Sequence, residues 1–303
     1  MTITNNTKPV VLVLGSTGQV GKLIVEALSQ TTDVQIRVTS RKLEQVEKLQ
    51  SQGKDAVYLD LDDPRTFAEA LAGVNRIFLL TGYTVDMLAQ SKTLVDAAVK
   101  AGVEHIVHLG IFGEWDCTDP HFVWHQLIER YIETSGIAWT HLHPNVFMEN
   151  LLGILPVKDN AVTMFWGKHR VGWVALKDVA EVAAKVLREG SKKHNVKNYW
   201  MSTEVLNGDE IAEILSDVLG KQITCYYKQP EDLQALMLSS EIPVEPNYAK
   251  GGVEFMRQVI DGRMGYIGTV RDDASFVTGK PSTTFKQWVV ENRDRFEQLT
   301  VDS

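Results

Sequence analysis

The residues with the types and spacing for chemistry fall in three places. Gly15, Gly18 and Gly21 run G-x-x-G-x-x-G directly after the apolar stretch Val10–Leu14. Thr39, Ser40, Arg41 and Lys42 put two hydroxyls and two cations in a row. Six of the eight histidines lie between His105 and His143, and His121 and His125 are four apart, on one face of a helix.

The glycine set points to phosphate. Free backbone N–H groups and the positive end of a helix dipole bind anions at a helix N-terminus. Val20, Leu23, Ile24, Ala27 and Leu28 recur at helical spacing after the glycines, so the order is strand, glycine turn, helix. That context turns a bare glycine pattern into a dinucleotide fingerprint. Gly15 turns the chain off the strand, Gly18 lets the backbone approach a pyrophosphate, and Gly21 lets helix and sheet pack closely. Thr17, Gln19 and Val20 belong to the same loop.

The second set decides between cofactors. An NAD-preferring fold places Asp or Glu about 20 residues past the fingerprint, on the ribose 2′-hydroxyl. This chain has Ser40, Arg41 and Lys42 there, which suit a 2′-phosphate, so NADP(H) is favoured over NAD(H). The plainer alternative is a basic start to the solvated helix Leu43–Leu49. For the histidines, H-x-x-x-H with Glu129 one turn further on could be a metal site. No second motif supplies a third ligand, and no metal is expected.

The elements that must position these residues alternate regularly. Strands are predicted at Val34–Thr39, Ala56–Leu59, Arg76–Leu80, His105–Leu109 and Ala138–His143. Helices are predicted between them at Pro64–Ala72, Val85–Ala101 and up to Thr134. Such alternation implies an α/β Rossmann-type doubly wound parallel sheet with right-handed crossovers. Ligands then bind beyond the carboxyl ends of the strands. The loops there carry Asp60 and Leu61 beside the adenine; Thr81, Gly82 and Tyr83 after the fourth strand; Gly110 after the fifth; and Pro144 and Asn145 after the sixth.

After Asn150 the alternation breaks. Short strands are expected at Val171–Ala175, Asn198–Ser202 and Gln222–Tyr227. Helices are expected from Asp178 to Leu187 and at Asn207–Leu219, Glu231–Leu238, Gly252–Gly262 and Ser282–Phe296. The organisation expected is a dinucleotide-binding core over residues 1–150. Residues 151–303 partly complete the sheet and form a smaller, mainly helical substrate lobe.

Composition narrows the class. The 303 residues carry a net charge of −8 with 23% charged side chains, which argues against a nucleic-acid surface. No run of about 18 apolar residues is present, so no membrane span is expected. The first residues, M-T-I-T-N-N-T-K-P, hold no signal h-region. Cys117 and Cys225 are far apart and in no metal or redox spacing, which suits a reducing, cytoplasmic setting.

Several segments resemble the NmrA-like branch of the short-chain dehydrogenase/reductase superfamily. They are G-S-T-G-Q-V-G, T-S-R-K, L-D-L-D-D, S-G-I-A-W-T-H-L-H-P-N-V-F-M-E-N and W-V-A-L-K-D-V-A-E-V-A, with Y-W-M-S-T-E-V-L-N-G-D-E-I-A-E-I-L-S-D-V-L-G-K near the end. The resemblance implies NADP(H) held over the sheet and a substrate cleft against the C-terminal lobe. It also exposes a departure. Superfamily members acting on alcohols and ketones use a Ser and Tyr-x-x-x-Lys; the Tyr and Lys slots fall near His121 and His125, and the Ser slot falls on Leu109–Gly110. Ordinary carbonyl reduction and sugar epimerisation lose their proton-moving tyrosinate.

Two readings follow. In one, the protein is a reductase passing hydride from NADPH to a conjugated or aromatic acceptor such as a quinone, dye or imine. His125, with His121 beside it, would then bind the nicotinamide ribose or donate a proton near neutrality. In the other it is an NADP(H)-binding redox sensor that acts through a protein partner without turnover. Lyase or isomerase chemistry around a structural cofactor is a lesser third. Aromatic supply favours the reductase. Tyr83, Phe112, Trp115, Phe147, Met148, Phe165 and Trp166 lie in loops expected at the cleft, and Tyr248, Phe255, Met256 and Tyr266 are candidates from the lobe. The chain is compatible with a homodimer.

Overall fold

The apolar run Val10–Val13 forms β1 and is almost entirely buried, as a strand covered on both faces requires. The computed structural model describes residues 8–155, 157–239 and 244–299; the polar segment before Lys8 lies outside them. In chain order the first half is β1, α1 (Gln19–Ser29), β2 (Gln35–Ser40), α2 (Leu43–Ser51), β3 (Asp55–Tyr58), α3 (Phe67–Leu71), β4 (Arg76–Leu79), α4 (Met87–Ala101), β5 (His105–Leu109), α5 (Pro120–Thr134) and β6 (Ala138–Pro144). The second half is β7 (Val146–Phe147), β8 (Ala161–Met164), β9 (Val171–Val174), α6 (Leu176–Glu189), α7 (Ser191–His194), β10 (Lys197–Ser202), β11 (Glu204–Leu206), α8 (Gly208–Leu219), β12 (Thr224–Tyr227), α9 (Pro230–Ser239), α10 (Pro246–Ile260), β13 (Arg271–Asp272), α11 (Asp273–Thr278), α12 (Phe285–Glu291) and α13 (Arg293–Leu299).

The main sheet has eight strands in the order β13-β10-β6-β5-β4-β1-β2-β3, all parallel except β13. The chain leaves β3 at one edge and returns at β4 beside β1. The strand order therefore reverses between β1 and β4, and a crevice opens at their carboxyl ends. One apolar layer joins the sheet to α1 and α6 through Ile24, Leu28, Val182 and Val186; the other joins it to α4 and α5 through Leu94, Val95, Ile128 and Ile132. Each large aliphatic side chain so buried contributes about 1.5–3 kcal/mol.

Residues beyond 150 supply β10 and β13 to this sheet as well as two small sheets, β11-β9-β7 and β12-β8, and the helices around them. Three predicted boundaries shift for local reasons. α10 begins at Pro246, six residues before Gly252, because Glu245 accepts from the backbone N–H of Asn247 and Pro246 occupies the first turn. The single helix expected over Ser282–Phe296 is two, α12 and α13, divided at Asn292. α6 starts at Leu176, which leaves Asp178 inside the first turn with its carboxylate on the backbone and hydroxyl of Thr283. No described helix is long and apolar enough to cross a membrane.

Candidate functional site

The glycine loop between β1 and α1 sits at the point of strand reversal. Gly15 takes φ +61°, a conformation that disfavours a side chain, and a Cβ there would run into the Leu80 side chain beyond β4. A Cβ on Gly21 would strike the Gly15 carbonyl oxygen. Gly18 stands at the N-cap of α1 with no side chain satisfying the first-turn N–H groups. Ser16 fixes the loop to the end of β2: its hydroxyl donates to Thr39 O (2.8 Å) and accepts from Thr39 N (3.1 Å). Ser16 carries no local sequence signal for this role, because its partner Thr39 lies 23 residues away.

The end of β2 presents cations. Arg41 and Lys42 are exposed, and among the described residues neither is ion-paired. Ser40 is buried; its hydroxyl donates to Gln45 Oε1 (2.7 Å) and accepts from Lys42 N (3.0 Å), so it shapes the turn under the cations. At the end of β3, Asp60 holds its own loop by accepting from Asp62 N (3.1 Å), with Leu61 half-buried beside it. The cradle therefore fits NADP(H): a first turn of α1 that no side chain caps, a glycine at Gly21 where a Cβ would strike the loop backbone, and no carboxylate at Ser40–Lys42.

The other end of the crevice is aromatic. Thr81, Gly82 and Tyr83 follow β4, and the Tyr83 ring meets Tyr248 of α10 edge-on at 5.6 Å. The Tyr248 hydroxyl hydrogen-bonds His121 Nε2 at 2.5 Å, and Trp124 stands 5.9 Å from the same ring. α10 is clasped to the β4 loop. Glu245 N donates to Tyr83 O (3.1 Å), and Glu245 Oε2 accepts from Val85 N (3.2 Å). Asp119 caps α5 by accepting from Phe122 N (3.1 Å); its other carboxylate oxygen has no partner among the described residues. Burial pushes its carboxyl up to about 7.

Several expected site residues have other positions. Burial takes His121 down to about 4 and His125 well below its ordinary value, so both rings are neutral at pH 7. That removes the proton donor titrating near neutrality that His125 was expected to be, though a neutral imidazole still donates a hydrogen bond. Phe112, Met148 and Trp166 are wholly packed in the core, with Phe112 edge-on to Trp200 at 5.2 Å and Trp166 beside Trp173 at 6.0 Å. Phe165 is equally buried, and Phe147 packs half-buried against the layer of α6. Trp115 is at the opposite extreme, 81% exposed. Pro144 is buried at the end of β6, and the Asn145 amide is committed to Ile267 O (2.9 Å) and Ser202 Oγ (3.3 Å), joining β6 to the lobe. Gly110 is buried where β5 ends, against Glu129 of α5. Of the lobe candidates, Phe255 stacks on Phe122 at 5.2 Å, and Met256 and Tyr266 lie against the same core.

Fold and crevice together define the nucleotide-binding short-chain dehydrogenase/reductase class. The chain belongs within it to the NmrA-like family, whose model matches residues 7–267. It is 28% identical over 282 residues to the NAD(P)H azoreductase of Xenophilus azovorans, covering 92% of this chain and 96% of that one. It is 26% identical over 242 residues to quinone oxidoreductase 2 of Escherichia coli, covering 77% and 82%. The structure of the Citrobacter sp. triphenylmethane reductase complexed with NADP(H) superposes with a TM-score of 0.77 at 25% identity, covering 95% and 99%.

Proposed function

We propose that the protein is an NADPH-dependent reductase of electron-poor conjugated acceptors, of the quinone or dye kind. The observation that carries this is the aromatic group of Tyr83, His121, Trp124 and Tyr248 beside the β4 end of the cofactor crevice, with no Ser-Tyr-Lys set there. NADPH, when bound, supplies hydride. Gly15, Gly18 and Gly21 hold its pyrophosphate, Ser40, Arg41 and Lys42 its 2′-phosphate, and Thr81 and Gly82 border the nicotinamide side. The Tyr83 ring offers a flat acceptor an edge or face to stack on. The Tyr248 hydroxyl, held by His121 Nε2, orients a polar atom of that acceptor. An acceptor that delocalises the incoming charge needs positioning more than a strong protein acid, which suits the neutral His121 and His125. The sensor alternative has less support, since the relatives named above are reductases.

The test is NADPH oxidation, followed at about 340 nm, the band of the reduced nicotinamide. The panel spans quinones, azo dyes, triphenylmethane dyes, imines and enones. Acceptor-dependent oxidation that is lost in Gly18→Asp is the expected result. Tight NADPH binding with no turnover on any acceptor would replace this reading with the sensor.

A further inference from the structure

Deeper along α5, beneath the face that carries His121 and His125, the protein buries a group of imidazoles and a carboxylate that the proposed reduction does not use. His108 on β5 and His141 on β6 are register partners in adjacent strands, with ring centroids 5.4 Å apart. Both are wholly buried. None of their four ring nitrogens has a hydrogen-bond partner among the described residues. Glu129 of α5 lies beside them, with Oε1 4.0 Å from His108 Nδ1, while Glu133 Oε1 stands 3.7 Å from His141 Nε2. Gly110 makes room for that carboxylate, since a Cβ there would collide with Glu129 Oε1.

Unpaired polar atoms this deep in a protein call for a partner, either water or an ion. One ligand atom each from His108, Glu129 and His141 lies within 4.8 Å of the others. Ligands at about 2.0–2.2 Å around one tetrahedral ion stand roughly 3.3–3.6 Å apart, so small side-chain rotations close the set. His143 is also close, at 3.6 Å from Glu129 Oε1, but its nitrogens are occupied by Ile111 O (2.8 Å) and Asn198 Oδ1 (2.9 Å).

We propose that His108, Glu129 and His141 form a site for a late first-row divalent cation, Zn2+ foremost, that ties α5 to β5 and β6. Two imidazoles with one carboxylate suit such an ion, whereas Ca2+ and Mg2+ take oxygen ligands. Burial, with Glu133 nearby, pushes the Glu129 carboxyl up to about 8; a bound cation reverses that preference and holds it ionised. This site differs from the H-x-x-x-H arrangement considered on sequence. His121 turns away to Tyr248, and two of the three ligands come from strands.

The experiment uses the full chain without an affinity tag, stripped with chelator and then titrated with Zn2+ or Co2+. Expected are one equivalent of Zn2+ bound and, with a water as the fourth ligand, the intense visible bands of four-coordinate Co2+, binding being weakened at least ~100-fold in Glu129→Gln and His141→Asn. Circular dichroism checks that the variants fold. For wild type labelled with 15N-histidine, one equivalent of Zn2+ should move the ring-nitrogen resonances of two of the eight imidazoles, a readout that stands if a variant fails to fold. Retention of Zn2+ by folded Glu129→Gln and His141→Asn at wild-type affinity overturns the site. So does a wild-type spectrum in which no buried imidazole responds.

Discussion

At the scale of single residues, the proposed 2′-phosphate site turns on Arg41. It is exposed at the end of β2, and no acid stands beside it to compete for a ribose 2′-hydroxyl. A phosphate held by a guanidinium makes charge-assisted hydrogen bonds worth about 1.5–3 kcal/mol. Arg41→Asp removes that and adds a repelling charge. NADPH affinity, measured by quenching of protein fluorescence, should fall at least ~10–100-fold, while NADH affinity changes by less than about threefold. An equal loss for both nucleotides would place the 2′-phosphate elsewhere. The glycines and this basic pair were legible in the sequence because their contacts are local: a turn, a helix start, a strand end. Ser16, Asp119 and the His108–Glu129–His141 group were not, because their partners lie on other strands or depend on burial.

At the scale of elements, α5 is the one to watch, because it carries His121, His125 and Glu129 and begins at a buried cap. Asp119 accepts the Phe122 N–H, and its raised carboxyl, about 7 against an ordinary 3.8, makes the cap pH-sensitive. Above pH 4 the unfolded chain releases this proton while the folded protein keeps it. The fold therefore loses stability as pH rises to about 7 and levels off beyond. Asparagine caps a helix as well as aspartate but carries no charge. Asp119→Asn should melt progressively higher than wild type as pH climbs from 4 to 7, by on the order of 3 kcal/mol at the top of that range. A melting difference that stays flat across those pH values would mean that Asp119 keeps an ordinary carboxyl. Apolar period gave away most elements, including β5 and α8, whereas the capping box of Asn207 and Glu210 that starts α8 is seen only in the structure. The break at Asn292 between α12 and α13 escaped because the apolar spacing runs on through it.

At the scale of the whole molecule, the crevice has two ends built by different parts of the chain. The glycine-loop end is built by β1, β2 and α1, and the aromatic end is completed only when α10 docks on the β4 loop. Sequence pattern showed the first end and could only gesture at the second. That Phe112, Met148 and Trp166 are core while Tyr248 reaches His121 is a result of tertiary packing, and an aromatic side chain looks the same in either setting. Glu245 holds the docking, since one carboxylate takes both Val85 N and Asn247 N. Glu245→Ala removes the side-chain half of the clasp and the helix cap together, leaving only the backbone bond from Glu245 N to Tyr83 O. KM for the acceptor should rise severalfold while NADPH affinity stays within about twofold of wild type. Arg41 and Glu245 share no hydrogen-bond or ion-pair partner, so their effects on kcat/KM should add in the double variant to within about 0.5 kcal/mol. Coupling well beyond that would mean that cofactor binding itself draws α10 onto the crevice, and the two ends would then work as one closing unit.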